Sequence, residues 1–130
     1  MIESEYDVNG RLKNGPYEEL FADGSLSAAG SYVDGLKDGE WKYYLKNGRL
    51  KAEGRYDKGE IAGAWTWYRA NGKLMQTGSF KDGQKSGVWR RYHENGVLWD
   101  EGEYRADKRT GEWKTYDPDG VLTATKTHRA

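Results

Sequence analysis

The sequence contains no cysteine, which excludes disulfides, thiol nucleophiles and thiolate metal sites. Neither sign of charge is in excess, with 21 Lys and Arg against 21 Asp and Glu. That balance argues against nucleic acid or an anionic membrane surface as partner, because both favour basic patches. No apolar run reaches the length of a membrane span, and the opening MIESEYDVNG lacks the basic and apolar regions of a secretory signal. A soluble, cytoplasmic chain is therefore expected. Hydrophobic residues are also scarce, at 35% of the 130 positions, so disorder is the first reading to test.

What is present argues against disorder. Six Trp, ten Tyr and 18 Gly recur in order, with a period of 24 and no insertion from residue 15 to the end. Each unit opens on a glycine (Gly15, Gly39, Gly63, Gly87, Gly111), followed two positions on by Tyr17, Trp41, Trp65, Trp89 or Trp113. An Asn-Gly or Asp-Gly pair follows, as at Asn47-Gly48 and Asp119-Gly120, then a leucine such as Leu50. A second glycine (Gly30, Gly54, Gly78, Gly102) precedes Tyr32, Tyr56, Phe80 or Tyr104 by two positions, and Gly35, Gly59 and Gly83 mark the connection to the next unit. Fixed-period self-similarity of this kind signals a repeat array. We read one domain of 24-residue units starting at residues 15, 39, 63, 87 and 111, preceded by a degraded half unit over 1–14.

Short aromatic runs around Asn-Gly or Asp-Gly predict one β-hairpin per unit. The fold class is all-β: tandem β-hairpins forming an elongated, twisted antiparallel meander. The strand register has two solutions. In Asp117-Pro118-Asp119-Gly120, proline suits the first central position of a type I turn with Gly120 at positive φ, which favours a three-residue loop. Applied to every unit, that loop places Tyr44 opposite Leu50 and puts the glycine row and the Tyr56-type residues on the same face. It pairs Tyr43 with Lys51, Trp67 with Met75, Arg91 with Trp99 and Thr115 with Thr123 on the other face. A two-residue loop would instead pair Arg91 with Asp100. Glycine within a strand weakens it unless something needs the space, so the glycine row is expected to form slots for neighbouring Tyr rings.

No arrangement of polar residues suggests chemistry. His93 and His128 stand in no metal or triad spacing, and His93, next to a turn, reads as a solvated residue. The acidic residues fall in turns and connections, where they favour the bend itself. No glycine-rich segment resembles a phosphate loop. Arg90-Arg91 with Tyr92 and Trp99 could stack on single-stranded nucleic acid, but Glu94, Asp100 and Glu101 offset the charge, which favours cross-strand packing. No enzyme, cofactor or metal is expected. The aromatics beyond the repeat pattern are more informative. In the preferred register Tyr43, Trp67, Met75, Arg91 and Trp99 share the Trp face, which a single-layer sheet leaves partly open, so they form the candidate binding patch. The competing reading is that sheet curvature tucks them between Trp41, Trp65, Trp89 and Trp113 as ordinary ladders.

The unit G-x-W-x-x-Y-x-x-N-G-x-L-x-x-x-G-x-Y-x-x-G resembles the bacterial MORN-repeat variant over residues 15 to about 125. That resemblance implies rows of β-hairpins that bind other proteins, and an antitoxin or immunity protein that covers the active surface of a toxin. It also brings in the membrane-associated scaffold role of conventional MORN repeats, from which this chain departs by lacking the second Gly-x-Gly pair. A second resemblance, carried by Trp-Lys-Tyr-Tyr before Asn47-Gly48, is to choline- and glucan-binding hairpin modules. It implies aromatic cages for a quaternary ammonium or a sugar. The main expectation is a protein partner. Neither nucleic acid nor a membrane is expected, and the pattern allows a homodimer through the Trp face or an end strand.

Overall fold

The computed structural model describes residues 2–129. Ten strands form one antiparallel sheet in sequential order: β1 Gly15–Leu20, β2 Leu26–Val33, β3 Leu36–Tyr44, β4 Leu50–Asp57, β5 Glu60–Tyr68, β6 Leu74–Lys81, β7 Gln84–Tyr92, β8 Leu98–Arg105, β9 Lys108–Tyr116 and β10 Leu122–His128. The chain forms no helix among the described residues. The expected meander is what the chain adopts.

Two turn chemistries alternate along its two margins. At the Asn-Gly margin the Leu45 N–H donates to Arg49 O at 2.8 Å and the Gly48 N–H to Leu45 O at 2.9 Å, closing a three-residue loop. The last hairpin repeats this geometry, with the Asp117 N–H on Val121 O and the Gly120 N–H on Asp117 O, both at 2.9 Å. Pro118 thus holds the first central position and removes no ladder bond, while Gly120 supplies the positive φ of 86°. Two-residue loops turn the opposite margin. Asp34-Gly35, at φ 48° and 81°, has the positive pair that a type I′ hairpin needs.

Beyond the three-residue loop the register departs from expectation. Tyr44 does face Leu50, but the ladder then slips, so Tyr43 pairs with Ala52. Lys51 is the extra residue of a bulge. The same slip pairs Trp67 with Gln76, Arg91 with Asp100 and Thr115 with Ala124, so none of the expected partners Lys51, Met75, Trp99 and Thr123 stands directly opposite in the ladder. The three-residue loop and the two-residue register therefore coexist, each in its own part of the hairpin.

One extra residue reverses which side chains share a face. Trp41 now sits opposite Gly54, and Gly39 opposite Tyr56. The Trp, the slot glycines and the Tyr56-type residues therefore occupy one face, and Tyr44 with Leu50 the other. This corrects the expectation that the Tyr44–Leu50 face forms the core and the Trp face lies open. Trp41, Trp65, Trp89 and Trp113 are 0%, 3%, 4% and 5% exposed. The rings lying across the glycine slots are Trp rather than Tyr: a Cβ on Gly54 would stand 2.0 Å from Trp65 Cδ2, and one on Gly102 2.2 Å from Trp113 Cδ2. The physical reason is burial. Each covered indole contributes about 3 kcal/mol, more than a bulge next to a turn costs.

The indole N–H groups are satisfied as well, donating to backbone carbonyls of the preceding strand: Trp41 to Ser31 O at 3.0 Å and Trp113 to Glu103 O at 3.2 Å. Residues 2–14 form a small terminal hairpin, with a bridge between Tyr6 and Leu12. It lies along the two-residue-loop margin, with the Glu5 N–H on Gly35 O at 2.7 Å.

Candidate interaction face

The Trp face carries an aromatic row from one end of the sheet to the other. Tyr17, Tyr32, Trp41, Tyr56 and Trp65 meet edge to face in succession, with centroids 5.2–6.2 Å apart. Phe80, Trp89, Tyr104 and Trp113 continue the row, and His128 closes it against Trp113 at 6.4 Å. Among the described residues, no second layer packs over it. The rings bury one another, which is how a single sheet covers its core.

Between successive Trp side chains lies a gap filled by the residue two positions after each Trp, and here the repeats differ. Tyr43 stacks between Trp41 and Trp65 at 6.2 and 6.3 Å, with interplanar angles of 28° and 29°. Trp67 stacks between Trp65 and Trp89 at 6.0 and 5.5 Å. Both are thus parts of the ladder itself. In the third gap the residue is Arg91. Its Nε lies 3.1 Å and its Nη2 2.6 Å from the Asp100 carboxylate, which is 5% exposed. These hydrogen bonds push the Arg91 pKa up against the opposing effect of burial, so its charge is fixed.

A column of cations lies above the rings. Lys13, Lys37, Lys85 and Arg109 occupy one position at the 24-residue spacing, interrupted by Ile61. Lys37 Nζ stands 4.9, 5.6 and 5.3 Å from the Trp41, Tyr43 and Tyr56 centroids and donates to the Tyr43 hydroxyl at 3.2 Å. This is an aromatic cage of the kind the second resemblance implies, and the chain's own lysine fills it. The Tyr43 and Tyr56 hydroxyls lie 2.8 Å apart. Burial raises both pKa values, and in Tyr56 the bond to Tyr43 adds to the shift. Burial likewise raises Tyr32, whose hydroxyl donates to Glu5 at 3.1 Å.

Of the five sequence-predicted residues, the structure brings two into direct contact: the Arg91 guanidinium lies over the Trp99 ring at 4.0 Å. Tyr43, Trp67 and Arg91 share one column of the Trp face, two strands apart at each step, or about 10 Å. Met75 is a bulge residue, 36% exposed, and is not paired with Trp67. His93, expected to be solvated, is instead half-buried, stacked on Trp99 at 5.3 Å with Nε2 2.7 Å from Tyr116 O. Sequence reasoning missed Lys37, Lys85 and Arg109, and had Asp100 only as the partner of Arg91 in the alternative two-residue register, which is the pairing that forms. The Lys, Lys, Ile, Lys, Arg series at positions 13 to 109 was the signal that could have found the cations.

The opposite face is polar and internally compensated. Lys42 stands opposite Glu53 in the ladder and Glu101 opposite Lys114, while Arg90 forms an ion pair with Glu101 at 3.0 Å and Lys114 with Glu112 at 3.6 Å. Two concavities of about 410 and 340 Å³ open there. The first is lined by Glu40 and Glu53 against Lys42 and Arg55, the second by Glu101, Glu103 and Glu112 against Arg90 and Lys114. Among the described residues, no cluster of three or more His, Asp or Glu could hold a metal ion.

Fold and face together define an open, single-layer array of β-hairpin repeats. The sequence profile described as "MORN repeat variant" matches residues 37–58, 62–82, 85–106 and 109–129, more than half of the chain, and the protein belongs to that family of non-catalytic repeat modules. No curated protein matches the chain. Among solved structures, "Crystal structure of GtfA/B complex bound to UDP and GlcNAc" contains a chain similar over 90% of this one and 21% of its own length, at 16% identity. This chain thus spans about a fifth of that one, and the TM-score of 0.32 is too low for the likeness to support any argument.

Proposed function

We propose that the chain is a non-enzymatic protein-binding module whose partner docks on the Trp face. One observation carries this reading. Lys37, Lys85 and Arg109, held over that aromatic row, have no carboxylate within salt-bridge range among the described residues, whereas Lys13 at the row's end pairs with Glu5 at 3.4 Å and, on the opposite face, Arg90 pairs with Glu101 and Lys114 with Glu112. Rings and unpaired cations at a rigid surface are the groups from which binding hot spots are made. The sheet would act by complementarity, covering a surface of its partner without chemistry. In the finer form of the proposal, supported by the family resemblance, the partner is a toxin and the chain its antitoxin or immunity protein, working in the cytoplasm.

The test is capture of a stoichiometric partner from host lysate, followed by variants of the two faces. Arg91→Ala and Trp99→Ala should weaken capture at least tenfold, whereas Glu53→Ala and Lys114→Ala should leave it unchanged. The reverse pattern would place the docking surface on the polar face. For the finer form, expression of the captured partner alone should arrest growth and co-expression should relieve it. A harmless partner would end the antitoxin reading and leave the binding module standing.

A further inference from the structure

We propose that the gap between Trp89 and Trp113 is a receptor for one acidic side chain, Asp or Glu, of the protein partner; this rests on the protein-binding reading above. The three gaps share a scaffold but not a filling. Tyr43 and Trp67 close the first two with stacked rings. Arg91 folds onto Asp100 and leaves the third open as a cavity of about 190 Å³, walled by Trp89 and Trp113 and rimmed by Lys85 and Arg109. That volume suits a side chain rather than a folded surface.

The charge count sets this cavity apart from the two larger concavities. Lys85, Arg91 and Arg109 line it against the single carboxylate of Asp100. Lys85 Nζ is held 4.9 and 5.0 Å from the Trp89 and Tyr104 centroids, and the Arg109 guanidinium 4.3 Å from Trp113. Ring faces position these two cations without neutralising them. Asp100 occupies the Nε and Nη2 edge of Arg91, leaving Nη1 free for a further acceptor. Ile61 in place of a cation at the equivalent position makes this, among the described residues, the only gap between Trp residues with a member of the cation column on both sides. An incoming carboxylate would meet three positive groups between aromatic walls, where the interaction is stronger than in open water. A polyanionic strand would need a continuous basic track, and the first two gaps offer none.

The experiment titrates the full-length chain, labelled with ¹⁵N, with the blocked peptide Ac-Gly-Glu-Gly-NH₂, its Gln counterpart and inorganic phosphate. The Glu peptide should shift the Trp89 and Trp113 indole N–H and the Arg91 and Arg109 Nε–H resonances saturably, and the Gln peptide should not. Lys85→Gln with Arg109→Gln should weaken the Glu peptide at least tenfold with indole dispersion retained, and Lys85→Arg should preserve binding. Equal shifts with the Gln peptide, shifts centred on Trp41 and Trp65, phosphate binding tighter than the carboxylate, or a double variant that binds normally would each overturn the proposal. A captured partner that binds the Gln double variant normally would refute the acidic anchor while leaving the protein-binding module intact. Peptide binding without any protein partner would refute the module and leave only a carboxylate site.

Discussion

The gap between Trp41 and Trp65 and the gap between Trp89 and Trp113 occupy equivalent places two repeats apart, yet one is closed and the other open. In the first, Tyr43 stacks on both indoles and Lys37 is caged by its neighbours. In the other, Arg91 turns aside to Asp100 and two cations face an unfilled space. The backbone and the glycine slots are the same in both. The lesson is a division of labour within the 24-residue unit: slot glycines and Trp specify the sheet, and the residue two positions after each Trp decides whether the surface there is sealed or receptive.

The comparison can be broken at its base. If the scaffold is common, Gly54→Ala and Gly102→Ala should each cost about 3 kcal/mol or more, because the new Cβ would stand 2.0 and 2.2 Å from an indole. Chemical denaturation measures this. A much smaller loss at Gly102 would mean that the two gaps do not rest on equivalent frames. Asp100→Ala should cost less, about 2 kcal/mol, since it strands a guanidinium that is 41% exposed and still partly solvated.

Alkaline pH sharpens the contrast. Burial raises Tyr32, Tyr43 and Tyr56 above their ordinary value of 10, so the folded state holds their protons more firmly than the unfolded chain does. That stability is fully present below pH 10 and is lost as pH rises through the folded values. The melting temperature should fall over that interval, and Tyr56→Phe should blunt the fall. A Tyr56→Phe variant whose melting temperature falls as steeply as that of the parent would remove the closed gap's contribution to this pH dependence. Converting the open gap to the closed type, by Arg91→Tyr with Asp100→Ala, should leave stability unchanged or raise it by about 1 kcal/mol, because a stacked ring replaces a partly buried ion pair. Pro118→Ala should cost only about 0.5 kcal/mol, through the freer unfolded chain.

The architecture was legible because turns carry their own chemistry. Asn47-Gly48 and Pro118-Asp119-Gly120 specify loop type from local sterics alone. The bulge was not legible, because the extra position accepts any side chain: Lys51, Met75, Trp99 and Thr123 all occupy it. Missing that one residue inverted the two faces. The corrective signal lay in the polar residues between the aromatics. Glu40, Lys42, Glu53 and Arg55 all require water, and only a register with Trp41 opposite Gly54 turns all four outward while keeping the rings together. Of the interaction face, Arg91 and Trp99 were visible as an aromatic-basic cluster. The open gap was not, because it exists only where Arg91 fails to fill a space that Tyr43 and Trp67 fill in their own repeats.

Strict neighbour-to-neighbour pairing from β1 to β10 also has a mechanical consequence. Tension applied at the two ends would load the ladder one seam at a time, like a zip fastener, instead of shearing many seams together. Such a ribbon should extend under small, regularly repeated forces, with each released hairpin matching the length of one repeat, and recover when slack returns.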